Sequence, residues 1–106
     1  MKKLSIVVAT YNRSQSLLRT LRSVVGQTAP AEQWECVVVN NNSTDDTEAV
    51  FADFARENPT FDLRMVTETK QGLSNARNCG IEASVGDYIA IVDDDETLES
   101  SYIESY

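Results

Sequence analysis

Three consecutive carboxylates, Asp93, Asp94 and Asp95, follow the apolar run Tyr88-Ile89-Ala90-Ile91-Val92. Adjacent carboxylates repel. Two unit charges about 4 Å apart cost about 4 kcal/mol at an effective dielectric of ~20. A divalent cation between them removes that cost, and hard oxygen ligands suit Mg2+ or Mn2+. One or two protein carboxylates completed by diphosphate oxygens form a common Mg2+ arrangement. The competing reading is a solvated turn in which Asp95 or Thr97 caps a short helix. The position directly behind a buried strand favours the cation site.

Two further polar clusters end apolar runs in the same way. Thr10-Tyr11-Asn12-Arg13 follows Leu4 to Ala9. Tyr11 offers an aromatic face on which a planar base can stack. An ordinary strand-to-helix loop with Asn12 or Ser14 as cap is the alternative. Asn40-Asn41-Asn42-Ser43 follows Cys36-Val37-Val38-Val39. Asparagine carries both donor and acceptor, which matches a uracil edge; an Asx-rich turn explains the same residues equally well. Lys70 and Arg77 flank the start of a later helix, where either could face a base or phosphate, or form a surface ion pair.

The elements that must position these clusters alternate regularly. Leu4 to Ala9 reads as a buried strand. Ser14 can cap a helix whose Leu17, Leu18, Leu21, Val24 and Val25 share one face, with Gly26 as its stop. Cys36 to Val39 is the second strand. Ser43-Thr44-Asp45-Asp46 looks like a helix start, followed by the stripe Val50, Phe51, Phe54 and Ala55 and ended by Asn58-Pro59. Leu63 to Val66 is less uniformly apolar and suits an edge strand. Gly72-Leu73-Ser74 opens a third helix whose small face, Ala76, Cys79, Gly80 and Ala83, allows close packing on a sheet; Gly86 reads as its stop. Tyr88 to Val92 is apolar throughout and reads as central. Ser100 to Tyr106 reads as the opening of another helix, with Tyr102, Ile103 and Tyr106 on one side and nothing to bury against. The chain is therefore expected to be a truncated piece of a longer protein.

Strands alternating with helices imply parallel βαβ units. The expected fold is α/β, a Rossmann-like parallel sheet of order about 3-2-1-4. Ligands of such sheets bind beyond the carboxyl ends of the strands at the switch point. The three polar clusters converge there.

Composition narrows the partners. The chain has 106 residues, a net charge of −8 and no histidine. An acidic surface repels phosphate backbones, so nucleic acid is not an expected partner, and histidine catalysis is excluded. No apolar run is long enough to span a membrane. Cys36 and Cys79 lack zinc spacing and read as buried reduced thiols of a cytoplasmic protein, or of one at the cytoplasmic face of a membrane.

Four ordered segments are similar to motifs of family 2 glycosyltransferases: Ser5 through Asn12, Val37 through Asp45, Gly72 through Asn78, and Gly86 through Asp95. The resemblance implies the N-terminal, nucleotide-sugar-binding half of a GT-A fold, an inverting transfer, a donor such as a UDP-sugar, and Mn2+ or Mg2+. It implies that Thr10 and Tyr11 line the base pocket, with Asn12 and Arg13 in the same loop. Asn41 stands where the family places a base-contacting Asp or Asn, next to Asn40 and Ser43. Asp93 or Asp94 approaches ribose and metal, Asp95 ligates the metal, and Lys70 lies near the base. The family usually carries an acidic residue where Asn40 stands, which moves weight from uracil toward another base. Its catalytic base belongs to a later part of the chain, beyond Tyr106. A non-catalytic nucleotide-binding module is the alternative. A receiver-type signalling domain needs an acid pair after the first strand, where Thr10-Tyr11 stands, and a nucleotidyltransferase needs a Gly-rich loop there. The open sheet edge also predicts self-association.

Overall fold

The apolar runs become four parallel strands: β1 (Leu4–Thr10), β2 (Trp34–Asn40), β3 (Leu63–Thr67) and β4 (Tyr88–Asp93). Between them lie α1 (Ser14–Val25), α2 (Thr47–Glu57) and α3 (Leu73–Ala83). The structure is a computed structural model, and it describes residues 2–105. The strand order is β3-β2-β1-β4, as the alternation predicts.

The sheet separates two apolar layers. On one face Leu4, Ile6 and Val8 pack with Leu17, Leu21 and Val24 of α1 and Phe51 and Phe54 of α2. On the other, Val7, Val37 and Val39 meet Ala76, with Cys79 and Ala83 beside it. The small face of α3 brings that helix very close. A Cβ at Gly80 would overlap the Val7 Cγ1 methyl and lie 3.0 Å from Val39 Cγ2. Both cysteines are free; Cys36 is buried, and burial pushes its thiol up to about 12.

The amino end of the sheet is tied by one fully buried carboxylate. Glu35 accepts from Ser5 Oγ at 2.5 Å, from the Val85 N–H at 2.7 Å and from the Arg64 guanidinium at 2.5 Å. Burial alone raises its pKa, but the bonds from Ser5, Val85 and Arg64 outweigh it and leave the group below its ordinary value.

Several local expectations are corrected. β4 is an edge strand, not a central one, because among the described residues it pairs with β1 alone. Its apolar character is spread over two faces: Ala90 and Val92 are buried, while Ile89 and Ile91 face the α3 side beyond the reach of that helix and stay exposed. Ser14 is the first residue of α1; Arg13 occupies the cap, and its side chain makes no capping bond. α2 begins at Thr47, whose N–H bonds the Asp45 carboxylate at 3.0 Å. α3 ends at Ala83, before Gly86. Gly86 serves a close approach instead: its N–H donates to Ser5 Oγ at 2.8 Å, and a Cβ there would lie 2.6 Å from the Ser5 nitrogen. The segment after Ser100 forms a short 3-10 turn, Ile103–Ser105, and not an α-helix. It does find cover, since Leu98 and Ile103 enter the α1-side core and the Ile103 N–H donates to Gln27 Oε1 at 2.8 Å. The expected place of Tyr106 lies outside the described residues.

Candidate functional site

Parallel register brings the polar clusters to one edge. Thr10 pairs with Asn40, and Ala9 pairs with Asp93. Beyond these ends opens a cleft of about 390 Å3. Its walls are Ala9, Thr10, Tyr11 and Arg13 after β1, Asn41 after β2, Gln71, Gly72, Leu73 and Ala76 at the start of α3, and Asp93, Asp94 and Asp95 after β4. Of the residues expected from sequence, Thr10, Tyr11, Arg13, Asn41 and the acid triplet meet here. Asn12, Asn40, Ser43, Lys70 and Arg77 do not line the cleft.

The triplet is divided by direction. Asp94 points inward and is 7% exposed, accepting from Thr10 Oγ1 at 2.9 Å with Arg13 at 3.6 Å. Its pKa is raised, first by burial and further by its two acidic neighbours, against the opposing effect of Thr10 and Arg13. Asp93 and Asp95 point outward, with side chains 59% and 60% exposed. Arg77 stands 3.3 Å from Asp93, and Arg13 stands 3.9 Å from Asp95. The triplet occupies a turn closed by the Glu96 N–H on the Asp93 carbonyl at 3.2 Å. No helix follows it directly, so a capping role for Asp95 or Thr97 is excluded.

The asparagines shape the loops. Asn12 sits at φ 50 and Asn42 at φ 72, a left-handed conformation that asparagine tolerates. Asn12 Oδ1 accepts from the N–H groups of Thr44 at 2.7 Å and Asp45 at 3.2 Å, and the Asn12 N–H donates to Ser43 Oγ at 3.0 Å. These bonds clamp the loop after β1 to the loop after β2. Asn40 Oδ1 accepts from the Ser43 N–H three residues on at 2.9 Å, a local bond within the asparagine-rich loop. Asn41 lines the cleft, but its amide bonds the 68–72 segment: Nδ2 donates to the carbonyls of Glu68 at 2.9 Å and Lys70 at 3.1 Å, and Oδ1 accepts from the Gly72 N–H at 3.0 Å. Ala9, Gln71, Gly72, Leu73 and Ala76 are lining residues that the sequence reading does not name as such. The sequence marked the start of α3 but gave no sign of which side of it the cleft would use.

The donor set fits a divalent cation. Asp93 and Asp95 supply hard carboxylate oxygens, alternate in sequence, exposed and engaged by ion pairs rather than buried bonds. No group of three or more metal-binding side chains occurs among the described residues. Among the described residues, Asp93 and Asp95 are the two carboxylates that would be offered to such a cation.

The family model described as Glycosyl transferase family 2 matches residues 5–105. The chain belongs to glycosyl transferase family 2. It is 30% identical over 100 residues to the glycosyltransferase AglE of Haloferax volcanii, covering 94% of this chain and 33% of that protein. It is 29% identical over 105 residues to a GalNAc(5)-diNAcBac-PP-undecaprenol beta-1,3-glucosyltransferase of Campylobacter jejuni, covering 99% and 33%. Among solved structures, it resembles the mannosyltransferase PcManGT of Pyrobaculum calidifontis in complex with GDP-Man and Mn2+, with a TM-score of 0.90 at 28% identity over 93% of this chain and 29% of that one. It also resembles S. aureus TarS in complex with UDP-GlcNAc, with a TM-score of 0.84 at 25% identity over 97% and 29%. The chain thus spans about a third of the length of these curated relatives. No helix among the described residues is long and apolar enough to cross a membrane.

Proposed function

We propose that this chain is the donor-binding part of an inverting glycosyltransferase, holding a nucleotide diphosphate sugar at the carboxyl edge of its sheet. The observation that carries this reading is the division of the triplet. Two outward carboxylates and an exposed Tyr11 border one cleft, while the inward Asp94 is locked to Thr10. The solved relatives support it, since they hold GDP-Man with Mn2+ and UDP-GlcNAc.

In this reading Tyr11, 47% exposed, offers its ring to the base. Thr10 fixes Asp94, and the pair sets the floor toward the ribose. Asp93 and Asp95 would hold Mn2+ or Mg2+, which would supply positive charge against the diphosphate. Arg13 and Arg77 keep the outward acids oriented. The role read for this chain is donor binding, and none of its residues is assigned as the base that takes the acceptor's proton.

Calorimetric titration with UDP and GDP, with Mn2+ and with chelator, tests this. A chain of charge −8 repels a diphosphate, so binding should depend strongly on the cation. Asp95→Ala should remove most of that dependence. Tyr11→Ala should weaken binding in both conditions, because stacking needs no cation. Equal affinity with Mn2+ and chelator would return the triplet to a solvated turn.

A further inference from the structure

We propose that Gln71 reads the edge of the nucleobase and that Asn41 is the positioning residue that holds it in place. The inference rests on the nucleotide-binding reading above.

A base entering the cleft gives up hydrogen bonds to water, and a wall that offers none in return loses affinity. The amide and hydroxyl groups near Tyr11 are mostly engaged already. Thr10 Oγ1 donates to Asp94. Asn41 is 4% exposed; both donors of its amide go to the Glu68 and Lys70 carbonyls, and its oxygen takes the Gly72 N–H. What remains on that amide is one lone pair. Gln71 is different. It is exposed on the cleft wall, and its side-chain amide has no hydrogen bond among the described residues; only its backbone carbonyl is engaged, by Asn75 Nδ2 at 3.1 Å. A carboxamide presents a donor beside an acceptor, the complement of the N–H and C=O edge shared by uracil and guanine.

Asn41 grips the chain on both sides of Gln71. It bonds the Lys70 carbonyl just before and the Gly72 N–H just after. Gly72 has φ 131, where L side chains are strained, so ordinary backbone preference does not set the path of this segment. The bonds from Asn41 flank Gln71 directly, beside the Lys70 N–H on the Glu68 carboxylate at 3.1 Å and the Ala76 N–H on the Gly72 carbonyl at 3.0 Å. Releasing the Asn41 bonds frees Gln71 from the position in which it faces the cleft.

The test is UDP titration of the chain in Mn2+ with Gln71→Ala, Asn41→Ala and the double variant. Each single change should weaken UDP by about tenfold, the scale of one lost hydrogen bond. The double variant should lose no more than the weaker-binding single, because Asn41 acts through Gln71. Inorganic pyrophosphate should bind the Gln71→Ala chain as it binds the parent. Losses that multiply would make Asn41 an independent base contact and overturn the positioning role. Unchanged UDP affinity in Gln71→Ala and in Gln71→Leu would overturn the assignment of Gln71, and this arm stands even if Asn41→Ala fails to fold. A parent chain that binds no UDP or GDP would remove the underlying reading and this inference together; a parent that binds while Gln71 variants match it removes this inference alone.

Discussion

Thr10 Oγ1 and the Asp94 carboxylate lie 2.9 Å apart, joining residues 84 positions apart in the chain. The bond spans from the end of β1 to the turn after β4, so it fixes which acid of the triplet turns inward. All three acids border the cleft, but Asp93 and Asp95 stay exposed at it while Asp94 is held against Thr10 in its wall.

That inward carboxylate should cost stability near neutral pH. Its folded pKa lies above the ordinary 3.8, chiefly through burial. A raised carboxylate contributes stability that is present below 3.8 and lost as pH rises through the folded value. Asp94→Asn should therefore melt at a higher temperature than the parent near neutral pH, with the difference closing in acid. Thermal melts at the two conditions check this; an Asn variant that melts lower near neutrality would show that Arg13 more than compensates the charge.

Glu35 has the opposite sign. Its folded pKa lies below the ordinary 4.5, so its contribution is present above 4.5 and lost as pH falls through the folded value. Glu35→Gln should cost about 3 kcal/mol near neutral pH, the scale of breaking a buried pair. Urea unfolding should show that gap shrinking as the solution is acidified. A gap independent of pH would mean that packing, not charge, accounts for the loss.

The two close-approach glycines should differ in tolerance. Gly80→Ala meets methyl groups of Val7 and Val39, which can shift, and overpacking of this kind costs roughly 1–3 kcal/mol. Gly86→Ala meets the backbone of Leu4 and Ser5, which cannot shift without disturbing β1. Chemical denaturation should rank Gly86→Ala as the more destabilising; the reverse order would show that the 84–87 turn yields more readily than α3.

The β4 edge should drive association of this chain. Tyr88 is 60% exposed and Ile89 and Ile91 are each 39% exposed, beside unpaired strand backbone. Sedimentation velocity over a concentration series should reveal dimers or larger species, and Ile91→Lys should shift them toward monomer. A parent chain that stays monomeric throughout would contradict this.

Strand and helix order was legible because hydrophobic period is a local property: Leu17, Leu21 and Val24 repeat at helical spacing, and Val37, Val38 and Val39 form a run that only a doubly covered strand accommodates. The exposure of one face of β4 was not, although the expected order already put the strand beside β1 at the end of the sheet. Ile89 and Ile91 are as apolar as core residues, and nothing within the run tells that no further strand or helix covers them here. The site was legible as three clusters but not as individual roles. Asn12, Asn40 and Asn41 have the same functional group as a base-reading side chain, and whether an amide faces a ligand or a neighbouring loop depends on contacts up to 33 residues away. Gly86 was misread for a related reason: a glycine shortly after a helix signals a stop by default, whereas its partner, Ser5, lies on β1.

The seating of α3 on the sheet has a consequence for how such a cleft can change over generations. With no side chain at Gly80, the helix lies as close to β1 and β2 as its backbone allows. Substitutions along its buried face can only push it outward, and they do so at a cost in stability. The spacing between that helix start and the acid triplet is thus a nearly fixed dimension of the molecule. New ligand preferences can arise far more cheaply at positions such as Gln71 and Leu73, whose side chains are exposed on the wall. The depth of the cleft is inherited with the fold, while its surface chemistry is free to drift.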